Sequence, residues 1–539
     1  MSAPQDNSGP LPRTGTLILP PSAEEPNPKR RKRSTDAPPP LTRPRAYFAL
    51  ILIVCAVFSP LLLSDILWSD YDSIERTPFK SMDHWQEAWS YDSLQQHDPI
   101  TLTSYFLEQA IPLPEAAVHR GINILLHLVA AVLFLKNLEL LKLPAAFSAT
   151  LIFALHPATI QTLFWAGYRS EIIGLILILS ALYYGGRNRH ARDYITAVVL
   201  TLIACLIHPA AIAIPLILAL YIIYLERQVH AYSFNRILPL ICLCLFLCIW
   251  TSNGGGNGST TDTLTATERI KHAGQSMAYF SSQALLPFDN ELFHRFNTAA
   301  DYEVGIQMSF LPFLLFIPFY ILIAFNIRKR WARGILLGLS SYLLLTLYGI
   351  ISNGQFINGE PAHEDRAFYI ALPMVIALLI TAAGRLIYNL GSAGKPIWLM
   401  GCALLLIIEI TLSAGFAYTL AKPTTMWTHM SEQWPDAWEP KAALIASIDD
   451  TNSQYTNTEL ISMLEAILKK RPDLIEQRTT LARLFIAEGH RTNAVREYKR
   501  ILRESDPDNF FLEEAASIFD KVGLTWEASK TRERKTQPQ

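Results

Sequence analysis

Eleven stretches of the sequence are apolar over lengths that cross, or nearly cross, a lipid bilayer. They lie at residues 46–63, 118–135, 144–163, 171–185, 194–208, 210–225, 236–251, 308–327, 334–350, 367–385 and 396–419. A bilayer admits such segments as helices of about 20 residues, because a helix satisfies its own backbone polar groups. Of the 539 residues, 50% are apolar and only 17% are charged, which excludes an ordinary soluble protein. The pattern predicts an all-α chain built around a polytopic membrane domain of about eleven spans.

Positive charge predicts the orientation of this membrane domain. Residues 1–45 are rich in proline, serine and charge, contain the run KRRKR at 29–33, and are expected to form a disordered cytoplasmic tail. A nuclear localisation signal is the alternative interpretation of that run. The five predicted loops on the N-terminal side all carry lysine or arginine, whereas the opposite loops are richer in acidic and polar residues. The positive-inside rule then predicts a cytoplasmic N-terminus and, after an odd number of spans, an external C-terminus.

The predicted membrane domain, residues 46–420, is followed by a connector at 421–455 and a helical repeat region at 456–535. Within that region small and aromatic residues recur at an interval of 34: Ala482, Phe485, Gly489 and Ala494 are repeated as Ala516, Phe519, Gly523 and Ala528. This period, with glycine at the turn and small residues where two helices touch, is typical of tetratricopeptide repeats. We expect two to three repeats, whose concave surface suits an extended peptide.

Ionisable residues collect at the predicted outer ends of the spans. They are Asp70, Asp72, His156, Arg169, Glu171, His208, Asp365 and Arg366. Charges at the mouth of a membrane domain are functional candidates, because an idle charge there is costly. Structural alternatives remain open. The two loop aspartates could be merely solvated, the histidines could cap or kink helices before proline, Arg169 and Glu171 could mark the headgroup interface, and Asp365–Arg366 could be an ion pair.

The order of these features resembles the GT-C membrane glycosyltransferases, above all those that carry C-terminal tetratricopeptide repeats, such as the O-mannosyltransferases of that architecture. The resemblance covers residues 46–535 and is most specific over 119–174 and in the segment EDRAFYIALP. The first stretch supplies His127, His156, Trp165, Arg169 and Glu171, and the second supplies Asp365, Arg366 and Tyr369. The family's acidic motif, in the first outside loop at 64–117, falls on Asp70 and Asp72.

The resemblance implies an enzyme that moves a monosaccharide from a polyprenyl phosphate carrier to a protein acceptor recruited by the repeats. Asp70, or alternatively Asp72, would be the base that takes the acceptor proton. The donor phosphate and sugar would be bound by His156, Arg169, Glu171, His208, Asp365, Arg366 and Tyr369, with arginine the preferred phosphate partner. The scheme requires no metal and no cofactor. The net charge of −1 gives no indication of a nucleic-acid partner.

Departures from the family's pattern support a second hypothesis. Asp98 precedes Pro99 where the family has arginine, and Thr159 and Gln161 replace a histidine and an acid. The chain could therefore be a catalytically inactive scaffold or assembly factor that binds an envelope or surface-appendage partner through its repeats. A secondary transporter is disfavoured, because the spans form no matched inverted halves. Both main hypotheses predict a multi-pass protein of the bacterial inner membrane with periplasmic repeats; in a eukaryote the repeats would face the endoplasmic reticulum lumen.

Overall fold

The structure, a computed structural model, describes residues 43–64, 89, 99–187, 190–225, 237–242, 244, 266–285, 287, 294–295, 311–352, 356–357, 360–363, 366–435, 437–448, 455–504 and 509–535. These ranges are helical apart from turns and one small sheet. The helices of the apolar part are α1 (Arg43–Phe58), α2 (Pro99–Glu108), α3 (Glu115–Leu140), α4 (Ala146–Leu155), α5 (Ile160–Phe164), α6 (Arg169–Arg187), α7 (Ala191–Ile207), α8 (Ile214–Leu225), α9 (Ala266–Leu285), α10 (Leu311–Ala324), α11 (Arg330–Ser352), α12 (Arg366–Tyr369), α13 (Leu372–Tyr388) and α14 (Gly394–Leu420). The C-terminal helices are α15 (Pro423–Gln433), α16 (Glu439–Ser447), α17 (Asn457–Lys470), α18 (Ile475–Ala487), α19 (Arg491–Glu504), α20 (Asn509–Lys521) and α21 (Thr525–Lys535).

Four helical segments are long and apolar enough to cross a membrane: Pro44–Leu63, Glu115–Leu140, Ala166–Arg187 and Gly391–Leu420. A fifth candidate is the pair Ala146–Leu155 and Pro157–Phe164, whose two parts are bent by 55°. The expectation of a mainly helical chain with several apolar helices is therefore confirmed for the described ranges. The count of eleven spans stays a prediction, and most of the predicted span at 236–251 lies outside the described residues.

The apolar helices divide into central and peripheral ones. In Glu115–Leu140 and Ala166–Arg187, 61% of the apolar window is buried inside the protein, against 22% in Gly391–Leu420. Leucine, isoleucine and methionine side chains on that last segment are exposed, as are those of α10. Such surface is unfavourable in water and suits contact with lipid chains. Helices α3 and α6 thus form the centre of the bundle, and α14 lies at its margin.

His–Pro pairs end two of the apolar helices with the same local structure. At the end of α4, His156 is extended (φ −65°, ψ 130°) and the following proline begins the 3-10 turn Pro157–Thr159. At the end of α7, His208 is extended (φ −140°, ψ 120°) and the following proline begins the turn Pro209–Ala213. A proline ring disfavours the helical conformation in the preceding residue, which explains why each helix stops at its histidine.

One small antiparallel sheet precedes helix α12. Its strands are β1 (His294–Arg295), β2 (Phe356–Ile357) and β3 (Glu360–His363), in the order β1-β3-β2. His294 pairs with His363 and Phe356 pairs with Pro361. These short strands join two of the connecting segments, and the described ranges are otherwise helical, as the all-α prediction expects.

The C-terminal helices form antiparallel hairpins with matching turns. Gly489 ends α18 with φ 78°, and Gly523 ends α20 with φ 83°. In each turn the residue after glycine donates its N–H to the carbonyl five residues earlier, at 2.7 Å and 2.8 Å. This is the Schellman arrangement, in which glycine adopts a conformation that other residues avoid. The hairpins recur with the period seen in the sequence, while their assignment as tetratricopeptide repeats stays a prediction.

The connector is helical and packs on the apolar bundle. Only two residues separate α14 from α15, and Met426, Trp427 and Met430 of α15 belong to the main hydrophobic core. Leu444 of α16 belongs to the same core, while its neighbour Ile445 packs with α17 and α18. The C-terminal helices are therefore joined to the bundle through a packed connector.

Candidate functional site

The two His–Pro turns bury their histidines at one end of the bundle with a defined ring orientation. Nδ1 of His156 accepts a hydrogen bond from the backbone N–H of Ala158 (3.2 Å), and Nδ1 of His208 accepts one from Ala210 (3.1 Å). A nitrogen that accepts a hydrogen bond carries no proton, so both rings hold their proton on Nε2. Nε2 of His156 makes no hydrogen bond among the described residues, although the backbone carbonyl of Ala284 lies nearby.

Glu171 faces His208 across the bundle end. Its Oε2 lies 2.7 Å from Nε2 of His208, an ion-pair distance, although the alignment is not that of a hydrogen bond. Glu171 is buried in the first turn of α6, where the helix dipole favours a carboxylate. Gly174, one turn further on, permits this approach, because a Cβ there would lie 2.9 Å from Cβ of His208. The pair therefore depends on a glycine as well as on its own two side chains.

Tyr369 joins the same region from helix α12. Its hydroxyl lies 2.8 Å from Nδ1 of His127, whose Nε2 lies 3.1 Å from the carbonyl oxygen of Ala154. Since a carbonyl can only accept, Nε2 carries the proton, and Tyr369 donates to Nδ1. Glu171 is close enough to Tyr369 to interact with it electrostatically. Helix α12 packs on the turn Pro157–Thr159. The two sequence segments that carry the family resemblance, 119–174 and EDRAFYIALP, thus meet at this turn.

Arg169 has all of its donors engaged within the protein. Its guanidinium donates to Asn123 Oδ1 (2.8 Å), Ser104 Oγ (2.8 Å) and both carboxylate oxygens of Glu108, and to the backbone carbonyl of His119 (3.2 Å). These five bonds match the five N–H groups of arginine. The side chain is fully buried and lies over the ring of Tyr105 at 4.6 Å. Arg169 therefore acts as a brace between α2, α3 and α6, and its implied phosphate contact stays a prediction.

Arg120 anchors the end of the first apolar helix beside this brace. Its Nη1 donates to the carbonyl of Ser64 (2.6 Å), and its Nε donates to the carbonyl of Phe164 (3.2 Å). The guanidinium also lies 4.7 Å from the centre of the Phe164 ring. Ser64 directly precedes the acidic stretch of the sequence, which lies outside the described residues. Its starting point is thus fixed within the layer that holds the His–Pro turns.

The predicted site residues fall into two groups. His156, Arg169, Glu171, His208 and Tyr369 are all buried at the same end of the bundle. The other predictions, Asp70, Asp72 and Asp365, lie outside the described residues, as does the side chain of Arg366. Arg366 begins helix α12, so its backbone adjoins the turn after His156. The proposed roles of all of these residues stay predictions.

Sequence reasoning missed the polar partners inside the bundle. Glu108 contacts both His119 and Arg169, and it lies in α2, which the sequence left within the outside loop at 64–117. His119 and Asn123 were missed as well; they lie on α3 at a spacing of four residues with His127, which the family resemblance had already marked, and all three are buried. That spacing puts them on one face of a helix, and it was visible in the sequence. A further buried carboxylate, Glu409, lies in the middle of α14.

The arrangement places hydrogen-bond donors and one carboxylate close together in a buried region, where little water reaches them. Two histidines with their protons on Nε2 face this region beside Glu171, and a tyrosine hydroxyl lies behind them. Low exposure strengthens such contacts with a charged ligand. Among the residues that the structure describes, no group of three or more His, Cys, Asp or Glu side chains is arranged to hold a metal ion.

Comparisons with known proteins are sparse. No model of a protein family matches the chain, and no curated protein matches it. Among solved structures, the chain is similar to the archaeal oligosaccharyltransferase AglB from Archaeoglobus fulgidus in complex with an inhibitory peptide and a dolichol-phosphate. The identity is 12% and the TM-score is 0.35, with 76% of this chain and 61% of that chain covered. The chain thus spans less than two thirds of that protein, and its activity has to be argued from its own residues.

Proposed function

We propose that the chain is an integral membrane glycosyltransferase of the GT-C type, which transfers a monosaccharide from a polyprenyl phosphate carrier to a protein acceptor. The observation that carries the proposal is the cluster of His156, Glu171, His208 and Tyr369, buried at one end of a bundle of apolar helices. Burying such groups costs free energy, and a mere anchor needs no such cluster. We therefore interpret the cluster as the wall of a substrate site.

The fixed position of Ser64 supports Asp70 and Asp72 as partners of this wall. Arg120 holds the Ser64 carbonyl in the same layer as Phe164 and Arg169. Asp70 follows six residues later, so even an extended chain carries it no more than about 20 Å from that anchor. This limit supports Asp70 as a partner of the buried cluster, and Asp72, two residues further on, can reach slightly farther.

In the proposed reaction a hydroxyl oxygen of the acceptor attacks C1 of the donor sugar. A bond forms between that oxygen and C1, and the bond between C1 and the phosphate oxygen breaks with its electron pair on the phosphate. The acceptor proton passes to the carboxylate of Asp70, or alternatively Asp72. The leaving polyprenyl phosphate needs donors rather than an acid. We assign this contact to Arg366 and to the Nε2 protons of His156 and His208, with Asp365, Glu171 and Tyr369 orienting the sugar.

The C-terminal hairpins suit recruitment of the acceptor. We propose that they are tetratricopeptide repeats that bind an extended segment of the acceptor on the periplasmic side of a bacterial inner membrane. The chemistry written above uses no metal and no cofactor. The donor substrate in this proposal is the lipid-linked sugar.

The test is sugar transfer by the purified full-length protein. The donors are a panel of polyprenyl phosphate monosaccharides, the acceptors are serine- and threonine-containing peptides, and mass spectrometry detects the added sugar. We expect Asp70→Asn to lower the transfer rate by about 10²-fold or more, as loss of a general base does. Asp92→Asn, in the same loop, is the matched control and should keep the parent's rate. Parent activity that survives in both Asp70→Asn and Asp72→Asn would exclude the proposed base.

The inactive scaffold remains the second candidate, and one observation favours it. Arg169, which the family resemblance implies as a phosphate ligand, directs all five N–H groups to its own chain. A site that has become structural would look this way. Absence of transfer with every donor, together with unchanged cellular function in Asp70→Asn and Asp72→Asn, would establish the scaffold.

A further inference from the structure

A cavity of about 330 Å³ opens among the apolar helices at the end opposite the His–Pro turns. It is lined by the C-terminal halves of α3, α6, α8 and α13 and by the N-terminal half of α11. The candidate site uses the other ends of α3 and α6 and the turn that precedes α8. The cavity is therefore separate from that site, and a ligand bound in it would not depend on the proposed function.

The interior of the cavity is suited to a hydrocarbon chain. Leu138, Leu182, Ile217 and Leu337 are among its mostly apolar lining. Its volume lies in the lower part of the range of about 300–1,000 Å³ that is usual for ligand pockets. Two buried polar atoms also line it without a hydrogen-bond partner in the described ranges: Oδ1 of Asn137 and Oγ of Ser341. Unsatisfied polar atoms indicate that the occupied cavity holds a molecule with polar groups as well as apolar ones.

The rim of the cavity is basic and aromatic. Arg330 and Arg385 both line it and are exposed, and within the part of the chain that the structure describes neither makes an ion pair. Trp331 lies beside them and is 40% exposed, as is typical of an aromatic side chain at the membrane surface. Arg328 and Lys329 add exposed positive charge next to the rim. The rim therefore complements an anion at the depth of the lipid headgroups.

We propose that this cavity binds an anionic phospholipid, with one acyl chain between the helices and the phosphate at Arg330 and Arg385. Basic pockets between membrane helices recognise anionic headgroups in this way, and each guanidinium offers paired donors to phosphate oxygens. Burial of the chain provides the remaining affinity. The positive-inside rule assigns this end of the bundle to the cytoplasmic leaflet, where anionic lipids are available.

The test is a melting-temperature titration of the detergent-solubilised full-length protein with three probes: dioleoylphosphatidylglycerol, dioleoylphosphatidylcholine and undecaprenyl phosphate. A ligand of the folded state raises the melting temperature in proportion to its affinity. We expect phosphatidylglycerol to give the largest shift and to be retained in native mass spectra. The double variant Arg330→Gln with Arg385→Gln should lose most of this shift.

Two further variants separate the cavity from general surface charge. Arg45→Gln with Arg192→Gln removes the same charge outside the cavity lining and its rim and should keep the shift. Ala382→Phe narrows the cavity without changing its charge and should lose the shift in melting temperature. This variant keeps the test decisive if the double variant Arg330→Gln with Arg385→Gln folds poorly. Equal shifts for both neutral and anionic phospholipid, or equal losses in both double variants, would overturn the proposal. A larger shift with undecaprenyl phosphate would replace the phospholipid by a polyprenyl ligand.

Discussion

Arg169 and Glu171 are two residues apart on α6 and serve different neighbourhoods. Helical geometry turns residues i and i+2 toward different faces, so Arg169 meets α2 and α3 whereas Glu171 meets the turn after α7. The sequence alone suggested one shared role for both. Because the two side chains point to different faces, the contacts of Arg169 stabilise the packing of α2, α3 and α6. Glu171 instead pairs with His208 at the candidate site.

The brace around Arg169 can be tested by removing its carboxylate partner. We expect Glu108→Ala to lower the free energy of unfolding by about 3–5 kcal/mol, because it leaves a buried guanidinium unpaired. Thermal unfolding of the solubilised full-length protein, followed by tryptophan fluorescence, measures the change. Glu115→Ala is the control: this side chain also contacts His119, at 3.4 Å, but it is 55% exposed and should cost less than about 1 kcal/mol. Equal effects of the two variants would contradict the brace.

The sequence could predict that ionisable residues meet at one end of the bundle, but it could not predict their partners. His156, His208 and Tyr369 were recognisable because proline or a family-like motif marks them. Glu108 was not, because its contacts with His119 and Arg169 join residues 11 and 61 positions away through tertiary packing. The polar stripe of His119, Asn123 and His127 was the overlooked signal, since its spacing of four needs no structure to be seen.

At the scale of elements, the C-terminal hairpins depend on glycine at their turns. Gly489 has φ 78°, so Gly489→Ala should destabilise its hairpin by about 1 kcal/mol. Hydrogen exchange of residues 475–504 in the full-length protein measures this effect. Gly415→Ala is the control, since Gly415 lies within helix α14 and an added Cβ would meet no atom within 4 Å. That substitution should leave stability unchanged or improve it slightly. Unaltered exchange in Gly489→Ala would exclude the strained turn.

Neighbouring hairpins are joined by a charge pair that responds to pH. Arg483 donates to both carboxylate oxygens of Glu514, at 2.7 Å and 2.6 Å, and Tyr498 donates to one of them at 2.7 Å. The hydrogen bonds from Arg483 lower the pKa of Glu514 below its usual value. A pKa that is lower in the folded state stabilises the protein above the pKa of the unfolded state. This stabilisation is lost as the pH falls through the folded-state value.

Glu514→Gln should therefore increase hydrogen exchange in residues 509–521 at pH 7 but not at an acidic pH below the folded-state pKa of Glu514, where the parent carboxylate is protonated as well. Comparing parent and variant at the same pH removes the intrinsic pH dependence of exchange. An increase of the same size at both pH values would show that the charge on Glu514 has no part in joining the hairpins.

At the scale of the whole molecule, the apolar segments of the sequence predicted where helices lie more accurately than where those helices begin and end. The predicted spans at 118–135, 171–185 and 396–419 lie within α3, α6 and α14, but each helix is longer than its apolar core. The missing turns carry buried polar residues such as Asn137 and Arg169, which an apolar window rejects. The bend of 55° after α4 follows from a histidine–proline pair, although its angle depends on packing.

The predicted topology can be tested with reporter fusions to the full chain and to truncations. A fluorescent reporter at the N-terminus and one after residue 188 should be active in the cytoplasm. An alkaline phosphatase after residue 535 should be active only outside, because the prediction puts eleven spans, an odd number, between the two termini. An inactive phosphatase after residue 535, together with an active fluorescent reporter at the same position, would show an even number of spans and would place the C-terminal hairpins on the cytoplasmic side.

The packed connector affects where a protein bound by the C-terminal hairpins would lie relative to the bundle. A flexible linker would let the hairpins move through a wide volume around the bundle. A protein bound by them would then meet the membrane domain at an effective concentration set by the length of the linker. Here α15 packs on the bundle through Met426, Trp427 and Met430, and this packing restricts its movement relative to the bundle. In the proposed function, an acceptor bound by the hairpins is therefore held at a constant distance from the bundle. The proposal then implies that the connector selects acceptors by the distance between the bound segment and the residue that is modified.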